Sequence, residues 1–190
     1  MRLWPDVVRR WGSTSSERSQ PYPCDTLLDD PDDALFRAVD IDARPATVFR
    51  WLCQLRVAPY SYDLLDNRGR RSPQELTPGL ERLQPGDRFM TIFELVEFEA
   101  PRSITLWHQG GIFGSVACTY QVADATPARS RLLVKLVVGY AKPPIGLLAR
   151  AVLPGGDLLM MRRQLLNLKR LAEAPEPAAA SSTARRTGSP

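Results

Sequence analysis

Two residue types that build catalytic and metal centres are nearly missing from this chain of 190 residues: it has one histidine, His108, and three cysteines, Cys24, Cys53 and Cys118. None of the cysteines is in CxxC spacing, and so sparse and odd a set builds neither a disulfide framework nor a zinc site. A single histidine argues against a histidine-based metal site as well. Free thiols suit a reducing compartment, so the expected location is cytoplasmic. Long apolar runs are missing too. No segment reaches the ~20 apolar residues that span a bilayer, and Arg9 and Arg10 interrupt residues 1–12 where a signal peptide would stay hydrophobic. Charge of one sign is also scarce, with a formal net charge of only +4. The basic residues are mostly isolated arginines, whereas a nucleic-acid surface needs clusters, because affinity comes largely from counterion release. No nucleic acid is expected as a partner. Finally, there is no GxSxG, P-loop, GxGxxG or HExxH motif, and no cofactor is implied.

What is present describes one globular unit. The hydrophobic fraction is 44%, and the length suits one core rather than two. Residues 1–33 read as an N-terminal arm. Leu3, Trp4, Val7, Val8 and Trp11 fall on one face of a short helix with Pro5 in its first turn, and residues 13–33 read as irregular connection. The two tryptophans either pack on the domain's own surface or, with the nearby arginines, anchor the chain at a membrane surface or a partner. At the other end, residues 174–190 are Ala, Pro, Ser and Thr with little to bury, so disorder is expected.

Between the two, the period of the apolar residues changes twice. ALFRAVDI (residues 34–41) alternates as a strand, with Leu35, Val39 and Ile41 on one face and Arg37 as the exception. Pro45 opens a helix over 45–54 carrying Val48, Phe49, Trp51 and Leu52, and a shorter helix is expected over 61–65. After the Pro85-Gly86 turn the period becomes two. Residues 88–100, 103–109, 114–122 and 131–141 read as strands, the first long enough to need a bend, a bulge or a division near Phe93-Glu94. Their short links make them antiparallel neighbours. Leu132, Val134, Leu136, Val138 and Tyr140 face one way; Arg131, Leu133, Lys135 and Val137 face the other. Residues 145–153 suggest a short helix and Pro154-Gly155-Gly156 a break. Asp157 is then expected to cap a helix to Ala172, with Leu158, Met161, Leu165, Leu168 and Ala172 on one side.

Three stretches, FRAVDIDARPATVFRWL (36–52), LQPGDRF (83–89) and LLMMRRQLLNLKRLAE (158–173), give the chain its likeness to a known group. It resembles the START-like, or SRPBCC, superfamily, which includes polyketide cyclases, aromatases and lipid-transfer domains. The resemblance covers 34–173 and implies an α+β helix-grip fold: a curved antiparallel β-sheet wrapped around a long C-terminal helix, with two short helices after the first strand. None of the three stretches carries catalytic residues. The fold implies an internal cavity, and the expected function is binding or transport of a small hydrophobic or aromatic ligand. A cofactor-independent cyclase- or dehydratase-like enzyme using that cavity is the alternative, and a surface module acting through Trp4 and Trp11 is the third reading. Oligomeric state is left open.

The alternation nominates the lining. Leu106 and His108 share a strand face, as do Cys118 and Tyr120, and Val134 and Leu136, with Met161 and Leu165 opposite and Trp51 on the preceding helix. Each is either ligand contact or plain core. Tyr60, Tyr62 and Asp63 form a polar cluster that either orients a ligand oxygen or packs a helix. His108 is the one candidate for a catalytic residue, as a general base, or else a hydrogen-bonded histidine at a hairpin mouth. Glu94, Glu97 and Glu99 are acid–base candidates only if buried, and solvated edge charges otherwise. Cys53 sits among apolar helix residues and reads as an inert thiol.

Overall fold

Alternation in the second half of the chain produces the sheet. The computed structural model describes residues 4–62, 69–111 and 114–175. Among them are six strands: β1 (Asp33–Ile41), β2 (Arg88–Phe89), β3 (Phe93–Glu99), β4 (Ser103–His108), β5 (Gly114–Thr126) and β6 (Arg129–Tyr140). They form one open antiparallel sheet in the order β1-β6-β5-β4-β3-β2. The run 88–100 divides into β2 and β3. Met90 and Thr91 between them take positive φ, and the register slips between Leu95 and Glu97, so the strands bend there.

Helix α3 (Pro45–Cys53) follows β1 and passes into a 3-10 turn, Gln54–Arg56. The shorter helix expected over 61–65 lies mostly outside the described residues. Helix α4 (Ile145–Ala172) crosses the sheet's inner face. Together these elements make the α+β helix-grip architecture. Lys169 ties the last turn of α4 to the sheet through the Asp40 carbonyl at 2.6 Å, and Glu173 accepts from the Asp42 amide at 2.7 Å.

The sequence predicts a break in this helix, and the structure has none. Residues 145–172 are continuous, with Pro154 buried in the middle. An interior proline costs about 3 kcal/mol because it removes one backbone bond and crowds the preceding turn. Burial of Ala149 on one side and Met161, Leu165 and Leu168 on the other offsets this, since each large side chain contributes roughly 1.5–3 kcal/mol. Trp4 adds a local brace. Its Nε1 donates to the Ala151 carbonyl at 3.0 Å, and its ring lies so close to Gly155 that a Cβ there would sit 2.7 Å away.

The short helix expected near the N-terminus is α1 (Asp6–Arg10), and residues 13–28 are more ordered than the expected irregular connection, forming α2 (Ser15–Ser19) and a 3-10 turn, Pro23–Thr26. Thr14 and Glu17 cap α2 reciprocally. The reason for the order is the sheet's outer face, where Ala117 and Val137 are apolar and need cover. Tyr22 and Cys24 bury against them, with Phe36, Trp107, Leu27 and Leu28 alongside. Lys135 crosses this patch to reach Asp25 at 2.5 Å. Trp11 packs on the main core with the Arg162 guanidinium 5.7 Å from its ring. Both tryptophans are therefore engaged within the fold.

Gly12 fixes where this segment leaves α1. Its φ is +76°, and a Cβ would lie 2.1 Å from the Ala38 carbonyl oxygen, next to the bond from the Ala38 amide to the Trp11 carbonyl at 3.1 Å. We expect Gly12→Ala to lower unfolding free energy by more than about 1 kcal/mol, because the positive φ and the backbone clash both oppose it. Urea denaturation of the two proteins measures the difference.

Candidate functional site

Strand register lays out the inner face in rows. Leu35, Leu136, Cys118, Leu106 and Leu95 pair across five strands. The adjacent row is Arg37, Val134, Tyr120 and Ile104. On the opposite side of the leucine row stand Val138, Val116 and His108. Leu106, Cys118, Tyr120, Val134 and Leu136 thus share one face. They are buried in one core with Met161 and Leu165 of α4. Trp51 and Tyr60 belong to the same core, ring edge to ring face with centroids 6.1 Å apart. Tyr62 is half-buried, and Asp63 lies outside the described residues.

Polar groups enter this apolar face at two places. The first joins β5, α4 and the 59–60 segment. The Tyr120 hydroxyl donates to Gln164 Oε1 at 2.7 Å, Gln164 Nε2 donates to the Pro59 carbonyl at 2.7 Å, and Asn167 Nδ2 donates to the Tyr60 carbonyl at 2.7 Å. Tyr60 holds φ at +56°, a conformation that costs a non-glycine residue roughly 1–2 kcal/mol. The two amides from α4 secure it. Burial pushes the Tyr120 phenol well above its ordinary range, so it stays a neutral donor.

The second place is an ion pair. Arg37 Nη2 meets Asp157 Oδ2 at 2.6 Å, Nη1 donates to the Phe36 carbonyl at 2.8 Å, and Nε is buried without a partner. Burial raises the Asp157 carboxyl despite the pull of Arg37, and lowers Arg37 despite Asp157. Desolvation outweighs attraction on both partners. Asp157 does not cap a helix here: α4 begins at Ile145, so the carboxylate falls mid-helix and faces the sheet.

Sequence reasoning did not nominate Arg37, Asp157, Gln164 or Asn167 for the site. Signals for them exist. Arg37 breaks an otherwise apolar alternation, Asp157 is the only acid in α4, and Gln164 lies two helical turns beyond it on the same face.

Toward the β4–β5 end the inner face is less covered. Leu153 of α4 and, beside Tyr120 and Gln164, Met90 pack against the core yet stay half-buried, and so at this end do Val116 and Phe93. His108 is half-buried beside them, with its ring edge-on to Phe93 at 6.0 Å. Its Nδ1 is 3.0 Å from the Ile92 carbonyl, which accepts, so the neutral ring has its lone pair on Nε2. Among the described residues no carboxylate bonds to it. Glu94, Glu97 and Glu99 are exposed on β3. The three thiols are free and buried; burial pushes Cys53 up to about 12 and Cys118 well above its usual range, so neither is a thiolate at neutral pH. No group of three or more His, Cys, Asp or Glu side chains among the described residues is placed to hold a metal ion.

A separate cleft of about 960 Å³ opens at the far end of α4, where Trp51, Leu76, Leu171 and Ala172 meet Arg44 and Glu75. Its other charges are spoken for: Arg50 pairs with Glu81 and Glu173 with Lys169.

Removing one partner of a buried pair leaves the other uncompensated. Arg37→Met is expected to cost about 3–5 kcal/mol at neutral pH, and Arg37→Met/Asp157→Leu to recover most of it. The sign with pH follows from Asp157. Its folded-state pKa is already raised and rises further without Arg37, so the protonated form is tolerated at low pH and stability is lost as pH rises through that pKa. The single variant should therefore lose less stability near pH 4 than near pH 7, by urea melts at each pH.

No protein-family model matches the chain, and no curated protein matches it either. Solved structures match in shape. A hypothetical protein from Helicobacter pylori is 15% identical, with 81% of this chain and 96% of that one covered at a TM-score of 0.50. An aromatase/cyclase, Zhui, from a Streptomyces species is 12% identical over 74% of this chain and 93% of that one, TM-score 0.48. A START superfamily protein from Mycobacterium smegmatis is 12% identical over 74% and 94%, TM-score 0.43. At such identities likeness speaks of fold alone, and the fold of this chain is an α+β helix-grip fold, an open antiparallel sheet gripping one long C-terminal helix.

Proposed function

We propose that the protein binds a small hydrophobic or aromatic molecule between the inner face of the sheet and α4, on the side of Val116, Phe93 and Leu153. The observation that carries this reading is the mixed character of that face. Its side chains are apolar, part of them stay half-buried, and a few fixed polar groups (Tyr120 with Gln164, Arg37 with Asp157) stand among them. Ligand sites are built this way: apolar walls remove the guest from water, and sparse polar groups orient it. His108, paired with Val116 across the strands and ring edge-on to Phe93, is the half-buried polar side chain at this end of the face.

Binding is favoured over turnover by the state of the titratable groups. General acid–base chemistry needs two groups of matched pKa within reach of one substrate. Here Asp157 is occupied by Arg37, the Tyr120 phenol is held neutral, and His108 turns Nδ1 to a backbone carbonyl. The solved aromatase/cyclase of similar shape keeps the enzyme reading as the alternative. The buried free thiols suit a reducing compartment such as the cytoplasm.

Val116→Trp is the direct test, since it fills the half-buried row without touching the polar groups. Wild-type protein should enhance the fluorescence of 1-anilinonaphthalene-8-sulfonate under native conditions, and the variant should bind at least about tenfold more weakly with an unchanged circular dichroism spectrum. Equal dye binding by the two folded proteins would rule out this location.

A further inference from the structure

Helix α4 buries one side, and the opposite side of its first half is apolar as well. Ile145, Leu148, Val152 and Leu159 are 48, 63, 55 and 59% exposed, and they fall at i, i+3, i+7 and i+14, one stripe along the helix. A soluble helix normally turns charged residues outward. This one carries a solvent-facing apolar stripe over about 21 Å at 1.5 Å per residue.

The charge around the stripe indicates what covers it. α4 has five basic residues, Arg150, Arg162, Arg163, Lys169 and Arg170, and one acid, Asp157, which is spent on Arg37. Arg163 continues the stripe at its C-terminal end, and Lys142 precedes it; both are exposed, and neither has an acidic partner among the described residues. A surface that is apolar along its middle and cationic at both ends complements one that is apolar and anionic. A second copy of the chain would bring the same cations against these and repel them. No helix of the described residues is long and apolar enough to cross a membrane, so the fit is to a surface rather than a span.

We propose that the first half of α4 docks in the plane of an anionic lipid surface, with Ile145, Leu148, Val152 and Leu159 inserted at the headgroup boundary and Lys142 and Arg163 on the phosphates. Trp4 and Gly155 are part of the device. The indole braces the helix at Pro154 from the side, and Val152 and Leu159, before and after that brace, stay exposed. This surface differs from the tryptophan arm, whose rings are engaged within the fold, and it does not depend on whether the interior holds a ligand.

Flotation of the full chain with vesicles of phosphatidylcholine alone, and of phosphatidylcholine mixed with phosphatidylglycerol, tests the proposal. Wild-type protein should float with the anionic vesicles and remain largely in solution with the neutral ones. Leu148→Glu/Val152→Glu should reduce flotation at least about tenfold, and Arg163→Gln about fivefold on anionic vesicles only. These residues are exposed, so melting temperatures should be unchanged; Leu159→Glu repeats the test on the same stripe if the double variant melts early. The proposal is overturned if wild-type protein stays in solution with anionic vesicles, if it floats equally with neutral ones, or if the glutamate variants float as well as wild type. A wild-type dimer in solution that becomes monomeric with Leu148→Glu/Val152→Glu would also overturn it, because a second copy would then be the occupant.

Discussion

A single helix must cover the inner face of a six-stranded sheet, and the two do not match in width. Strands at roughly 4.8 Å spacing make a sheet about 24 Å across, whereas a helix with its side chains is about 10 Å in diameter. Curvature narrows the gap, α3 packs against β5 and β6, the 3-10 turn after it meets β2, and the 59–60 segment is tied to α4. What stays half-buried on the sheet at the β4–β5 end is Val116 with His108. The proposed ligand site is the remainder of this mismatch rather than an addition to the fold.

Polar contacts decide where the helix lies on that face. Leucine packing is forgiving of small shifts along a helix axis, but Tyr120 to Gln164, Arg37 to Asp157 and Lys169 to the Asp40 carbonyl are not. Each has one geometry, and together they set α4 at three points along its length. The ion pair adds little net stability, because desolvation of both charges opposes their attraction; we assign it to register. The same reasoning explains why a proline is tolerated in the middle of the helix. Contacts on both sides of Pro154 hold the two halves in line, and Trp4 supplies a donor beside it.

Much of this was legible in the sequence. Alternation locates β1, β4, β5 and β6 and assigns their inner faces, so the sequence pattern alone brings Leu106, Cys118, Tyr120, Val134 and Leu136 to one face. The division of residues 88–100 was visible as a conflict in the period. Other features were hidden because they depend on contacts distant in sequence. Pro154-Gly155-Gly156 has the local chemistry of a break, and only packing against the sheet and Trp4 reverses it. Asp157 has the local chemistry of a cap until Arg37, far upstream, claims its carboxylate. The ordering of residues 13–28 needed the apolar outer face, and Leu133 and Val137 had signalled that face without naming its cover.

The proposed ligand site requires apolar space beside Val116, under α4. Crystals of the protein pressurised with xenon test it directly, since xenon enters apolar cavities and is seen by its electron density. Xenon should appear between Val116, Leu136 and Leu153, inside the sheet and under α4. Unbroken side-chain packing from sheet to helix, with xenon only on the outer surface, would contradict it.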